Sequence, residues 1–119
     1  MTRAEIAQYR FLIVDDDELC NEVMAGVLTQ FGAKHIFHAQ DGATARQLAK
    51  QQQPDFILLD IYMPDQDGWA LLRQLREMLP KVMVLMMTGS RLPTDFTKSM
   101  DLQVDGYCVK PVMPDVLLK

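Results

Sequence analysis

Phe11-Leu12-Ile13-Val14-Asp15-Asp16-Asp17 decides the fold: four consecutive apolar residues stop against three carboxylates. An apolar run of this length, without polar alternation, reads as a strand buried on both faces, as in a parallel sheet covered by helices. The pattern returns at Phe56-Ile57-Leu58-Leu59 before Asp60, at residues 82–87 before Thr88, and at Gly106–Val109 before Lys110. A weaker strand is expected over His35–Ala39.

Helical periodicity fills the gaps between these runs. Leu19, Cys20, Val23, Met24, Val27, Leu28 and Phe31 recur at the spacing of one helix face, with Asp17 as N-cap and Gly32 as the stop. Asp41-Gly42 opens a helix through Ala45, Leu48 and Ala49. Residues 63–68 read as a loop, after which Leu71, Leu72, Leu75, Met78 and Leu79 form the next stripe, ended by Pro80. A fourth helix with a weak apolar face (Phe96, Met100) is expected within residues 91–103, and Pro114 suits the first turn of a fifth. Strand and helix thus alternate five times through short connections. This predicts an α/β fold with a doubly wound, five-stranded parallel sheet and helices on both faces. Residues 1–119 form one domain, without internal repeat or linker.

Composition agrees. A chain of 119 residues with 49% hydrophobic and 24% charged residues can bury an ordinary core without metal or disulfide support. No apolar run approaches the roughly 20 residues that span a bilayer, and no signal-peptide pattern opens the chain, so a cytoplasmic location is expected. The net charge of −4 and the lack of a Lys/Arg stripe argue against nucleic-acid binding by this domain. Cys20 and Cys108 form no CxxC pair and are expected as buried, reduced thiols. His35 and His38 lack ligand partners at zinc spacing and are expected at the surface. Met83, Met86 and Met87 are expected as core filling, and Trp69 as cover for the first turn of its helix.

Asp15, Asp16, Asp60, Thr88 and Lys110 share one property: each lies at the carboxyl end of an expected strand or just past it. In an open parallel sheet those ends form one edge, where ligands bind. Three carboxylates gathered there repel one another unless a cation joins them. Hard oxygen donors with access to water suit Mg²⁺. With a lysine and a hydroxyl added, the set suits phosphoryl transfer, with an aspartate as acceptor.

The segments FLIVDDDE, LLDIYMPDQDGW, MMTGS and DGYCVKP, in this order and spacing, resemble a response-regulator receiver domain of two-component signalling, of the chemotaxis-regulator type. The spacings are 44 residues from Asp16 to Asp60, 28 from Asp60 to Thr88 and three from Tyr107 to Lys110. The resemblance implies a flavodoxin-like sheet of order 2-1-3-4-5. It makes Asp60 the phosphoacceptor, and Asp15, Asp16 and Asp60 the Mg²⁺ ligands together with the backbone carbonyl of Tyr62. Thr88 and Lys110 become the groups that engage the phosphoryl group, and Tyr107 the aromatic that switches rotamer. The Lys110-Pro111 bond matches one that is usually cis in that family.

The implied function is a phosphorylation-activated switch. A sensor histidine kinase or phosphotransfer protein supplies the phosphoryl group, which remodels the face made by the fourth helix, fifth strand and fifth helix. That face controls an effector domain or downstream protein, or forms a homodimer. The domain then catalyses only its own phosphotransfer and slow dephosphorylation. Two features depart from the family pattern: Tyr62 is bulkier than the small polar residue often found there, and Gln103 stands where many receivers have Gly. The bulk of Tyr62 leads to the expectation of a slowly decaying phosphorylated state. Residues 114–119 allow at most two helical turns, which suggests a native chain that continues into an effector or a shortened one, with a stand-alone receiver as the alternative. A Mg²⁺-dependent phosphohydrolase is the enzyme-class alternative, but Tyr62 occupies the place of its second aspartate. A pseudo-receiver that binds partners without phosphorylation is disfavoured by the complete acidic set.

Overall fold

The computed structural model describes residues 2–60, 62–63, 66–88 and 106–109. Along the chain these are α1 (Arg3–Gln8), β1 (Arg10–Val14), α2 (Glu18–Gln30), β2 (His35–Ala39), α3 (Gly42–Gln52), β3 (Phe56–Asp60), β4 (Tyr62–Met63), β5 (Gln66–Asp67), α4 (Gly68–Met78), β6 (Met83–Thr88) and β7 (Gly106–Val109). Five strands pair in the order β2-β1-β3-β6-β7, every pair parallel. This is the doubly wound order expected, with β6 and β7 as its fourth and fifth strands.

Side-chain parity along the strands divides the core into two layers. Leu12 and Val14 of β1, Ile57 and Leu59 of β3, and Val84 and Met86 of β6 face α3 and α4, packing with Ala45, Ala49, Leu71, Leu72 and Leu75. The alternate residues Phe11, Ile13, Leu58 and Met87 pack with Met24 and Leu28 of α2 and Ile6 of α1. Because successive strand residues point to opposite faces, an unbroken apolar run is what a sheet covered on both sides requires.

The caps fall where polar side chains can answer the free amides of a helix start. The Asp17 carboxylate accepts from Leu19 N–H at 2.9 Å, and that of Asp41 from Thr44 N–H at 2.7 Å. Gly32 ends the α2 turn at φ +105°, backbone that side chains with a Cβ rarely adopt.

One element was not expected, and four expectations are corrected. Helix α1 precedes the first strand, held by a Thr2–Glu5 capping box, by burial of Ile6, and by the Arg3 guanidinium donating to the Gln30 carbonyl at 2.6 Å. Tyr62–Met63 and Gln66–Asp67, expected within or beside a loop, pair as antiparallel strands β4 and β5. On α2 the buried line is Asn21, Met24 and Leu28, whereas Leu19 and Val23 are exposed. Met83 is exposed at the sheet margin and Met78 at the end of α4, while Met86 and Met87 fill the core as expected. Cys20 is half-buried rather than buried, its thiol donating to Asp17 Oδ2 at 3.5 Å. Trp69 packs fully into the α3–α4 layer, and both histidines are exposed. The expected helices within residues 91–103 and 114–119, together with Gln103, Lys110 and the Lys110-Pro111 bond, lie outside the described residues.

Candidate functional site

Strand register brings the candidate residues to one edge. Val14 pairs with both Ala39 and Leu59, so Asp15 and Asp60 each emerge one residue past these partners on adjacent strands. Asp60 pairs with Met87, which places Thr88 one residue further along the neighbouring strand; Thr88 in turn pairs with Val109, the residue before Lys110. Tyr107 lies within β7, paired with Met86. Tyr62 begins β4, two residues beyond Asp60.

Asp15, Asp16 and Asp60 each direct a carboxylate oxygen into one cluster, the three atoms lying within 4.8 Å of one another. Asp15 and Asp60 are buried, while Asp16 is exposed and opens the cluster to solvent. Charges at such separations repel by roughly 3–4 kcal/mol per pair at an effective dielectric near 20. Two buried acids and one open to water form a hard, all-oxygen donor set of the kind that suits Mg²⁺, which keeps several waters and takes few carboxylates. The cluster therefore fits a divalent cation.

The β1–α2 turn is fixed by its own hydrogen bonds. Asp15 N–H donates to the Ala39 carbonyl at 3.0 Å, extending the β2 ladder by one residue. Asp15 Oδ1 accepts from Asp17 N–H at 2.9 Å, and the Asp15 carbonyl accepts from the Asn21 side-chain amide at 2.9 Å. Asn21 is 1% exposed and was not singled out from sequence. Its spacing to Met24 and Leu28, three and seven residues on, could have marked it as an inward-facing polar residue.

A groove of about 690 Å³ opens at the opposite edge, lined mainly by apolar residues including Tyr9, Phe56, Leu79 and Val82. Its carboxylate, Asp55, already accepts from Arg10 N–H at 2.8 Å, so the groove offers no converging set of reactive groups.

A parallel sheet of this order with an acidic cluster at its carboxyl edge is the arrangement that the receiver resemblance implied, and comparison with known proteins shows the family. The response regulator receiver domain model matches residues 11–119, and the chain belongs to that family. The family comprises phosphorylation-activated switches of two-component signalling rather than metabolic enzymes.

Among its relatives is the probable transcriptional regulatory protein SilR of Salmonella typhimurium, 35% identical over 102 residues, covering 86% of this chain and 44% of that protein. The chain thus spans less than half the length of this curated relative. A CheY-like receiver domain protein from Methanospirillum hungatei superposes with TM-score 0.84 at 28% identity, over 92% of this chain and 87% of that one. The chemotaxis protein CheY4 of Vibrio cholerae superposes with TM-score 0.85 at 26% identity, over 94% of each chain. Among the described residues, no helix is long and apolar enough to cross a membrane.

Proposed function

We propose that this receiver domain takes its phosphoryl group on Asp60, in a site completed by Mg²⁺. The observation that carries the reading is the convergence of Asp15, Asp16 and Asp60 within 4.8 Å at the carboxyl edge of the sheet. Asp15, Asp16, Asp60 and the Tyr62 backbone carbonyl would hold the ion, which would supply positive charge to the carboxylates and to the incoming phosphoryl oxygens.

A carboxylate oxygen of Asp60 bonds to phosphorus as the phosphorus–nitrogen bond of a phosphohistidine breaks, and the electron pair leaves on the imidazole nitrogen. The phosphorylated side chain carries about two negative charges where the Asp60 carboxylate carried one. Thr88, at the end of the neighbouring strand, offers a hydroxyl to the phosphoryl oxygens, and Lys110 offers a compact positive charge. Their displacement, followed by Tyr107, biases the face around β7 toward its active arrangement. The donor is a sensor histidine kinase or phosphotransfer protein, and the recipient of the signal is an effector domain, a downstream protein or a second copy of the domain. A cytoplasmic location follows from this partnership. Catalysis extends to self-phosphorylation and slow self-hydrolysis.

The test is intact-mass spectrometry after incubation with acetyl phosphate and Mg²⁺. One added phosphoryl group is expected in the wild type and none in Asp60→Asn. Equal labelling of the two proteins would refute Asp60 as the acceptor.

A further inference from the structure

We infer that Asn21 is a positioning residue for the cation cluster, acting through the peptide that joins Asp15 to Asp16; this rests on the metal reading above. Asn21 is buried at 1% exposure on the first turns of α2, and its amide nitrogen donates to the Asp15 carbonyl at 2.9 Å. The Asp15 carbonyl and the Asp16 N–H belong to one planar peptide group. Holding that carbonyl oxygen therefore sets the tilt of the plane from which the Asp16 side chain departs.

Asp15 has two further anchors, its N–H on the Ala39 carbonyl and its Oδ1 on Asp17 N–H. The Asn21 amide acts on the next link, toward the exposed carboxylate of the cluster. Asn21 Oδ1 is buried with no hydrogen-bond partner among the described residues, so the hydrogen bond of this side chain is the one to the cluster's backbone, on a helix face otherwise lined by Met24 and Leu28.

The experiment is Mg²⁺ titration by calorimetry of the whole chain as wild type, Asn21→Leu, Asn21→Ser and Leu28→Ala, with a melting curve for each. Leu28 lies on the same face of α2, two turns from the cluster, and serves as the control for general loosening of the helix. Asn21→Leu and Asn21→Ser are expected to bind Mg²⁺ five- to tenfold more weakly. Leu28→Ala is expected to melt at lower temperature while binding within twofold of wild type. Two outcomes overturn the positioning role: both Asn21 variants binding within twofold of wild type, or Leu28→Ala weakening binding as much as they do. A wild type that binds no Mg²⁺ overturns the metal reading and the inference with it, so the two failures are distinct.

Discussion

The two edges of the sheet are built from the same strands and do opposite things. At the amino edge, backbone amides find their acceptors. Arg10 and Asp55 exchange contacts, with Asp55 Oδ2 accepting from Arg10 N–H and the Arg10 carbonyl accepting from Asp55 N–H, both at 2.8 Å. The Asp55 carbonyl accepts from Met83 N–H at 2.9 Å, tying β6 into the same knot. Phe11 stacks on Phe56 at 5.1 Å between ring centroids, and Tyr9 meets Phe56 edge-on at 5.2 Å. The carboxyl edge instead gathers like charges, with three carboxylates inside 4.8 Å. An arrangement of that kind opposes folding unless a cation joins it. One end of the strands contributes stability and the other gathers the acidic groups of the proposed site.

Changes at the amino edge should lower stability and leave cation binding alone. The largest effect is expected from Phe11→Ala, which removes a buried ring from both the stack and the α2-side core. Urea unfolding should show a loss of about 3–5 kcal/mol. Gly32→Ala follows, because the residue sits at φ +105° and an added Cβ would lie 3.2 Å from the Arg3 carbonyl oxygen. The same measurement should give a loss of about 1–3 kcal/mol.

The carboxyl edge also contains an acid with a purely local task, which sharpens the contrast. Asp41, after β2, caps α3, and its hydrogen bonds to Thr44 hold its carboxyl below the usual carboxylate range. Its contribution is complete above the ordinary aspartate range and is lost as pH falls through the lowered value. Asp41→Ala should cost about 1 kcal/mol at neutral pH. The gap between variant and wild type should close in acid unfolding curves, with Mg²⁺ affinity at neutral pH the same in the two proteins.

The smallest effect concerns the lifetime of the phosphorylated state. A bulky side chain two residues past Asp60 is expected to hinder the attacking water. Tyr62→Asn should therefore lose its label a few-fold to tenfold faster, about 0.5–1.4 kcal/mol in the barrier. Decay of the two labelled proteins at fixed pH and Mg²⁺ measures this, and an equal or slower loss in the variant means that the ring does not shield the group.

The strands and the acidic edge were legible in the sequence because they depend on local pattern. An apolar run ended by a carboxylate names a buried strand and its acidic end at once, as FLIVDD and FILLD do. Asp17 and Asp41 were legible as caps or helix openings for the same reason. What escaped depends on contacts between distant segments. Helix α1 is six residues long, too short to form on propensity alone, and it rests on Ile6 entering the core and on Arg3 reaching Gln30. The apolar residues of α2 cover a wider arc than the part that packs, so periodicity could not tell Met24 and Leu28 from the exposed Leu19 and Val23. The same ambiguity misplaced Met78 on α4, whereas Met83 is exposed because it is the first residue of β6, at the sheet margin. Asn21 escaped because a polar residue on a helix reads as solvent-facing until the packed face is known.

If the carboxyl edge is a cation site, its affinity is separable from the stability supplied by the amino edge. Thermal melting of wild type, Asp16→Asn and Phe11→Ala with and without millimolar Mg²⁺ tests it most directly. A ligand that binds only the folded state raises the melting temperature. Wild type and Phe11→Ala should gain equally from Mg²⁺, Phe11→Ala from a lower starting point, whereas Asp16→Asn should gain little. Equal gains in wild type and Asp16→Asn, or no gain in either, would contradict the account.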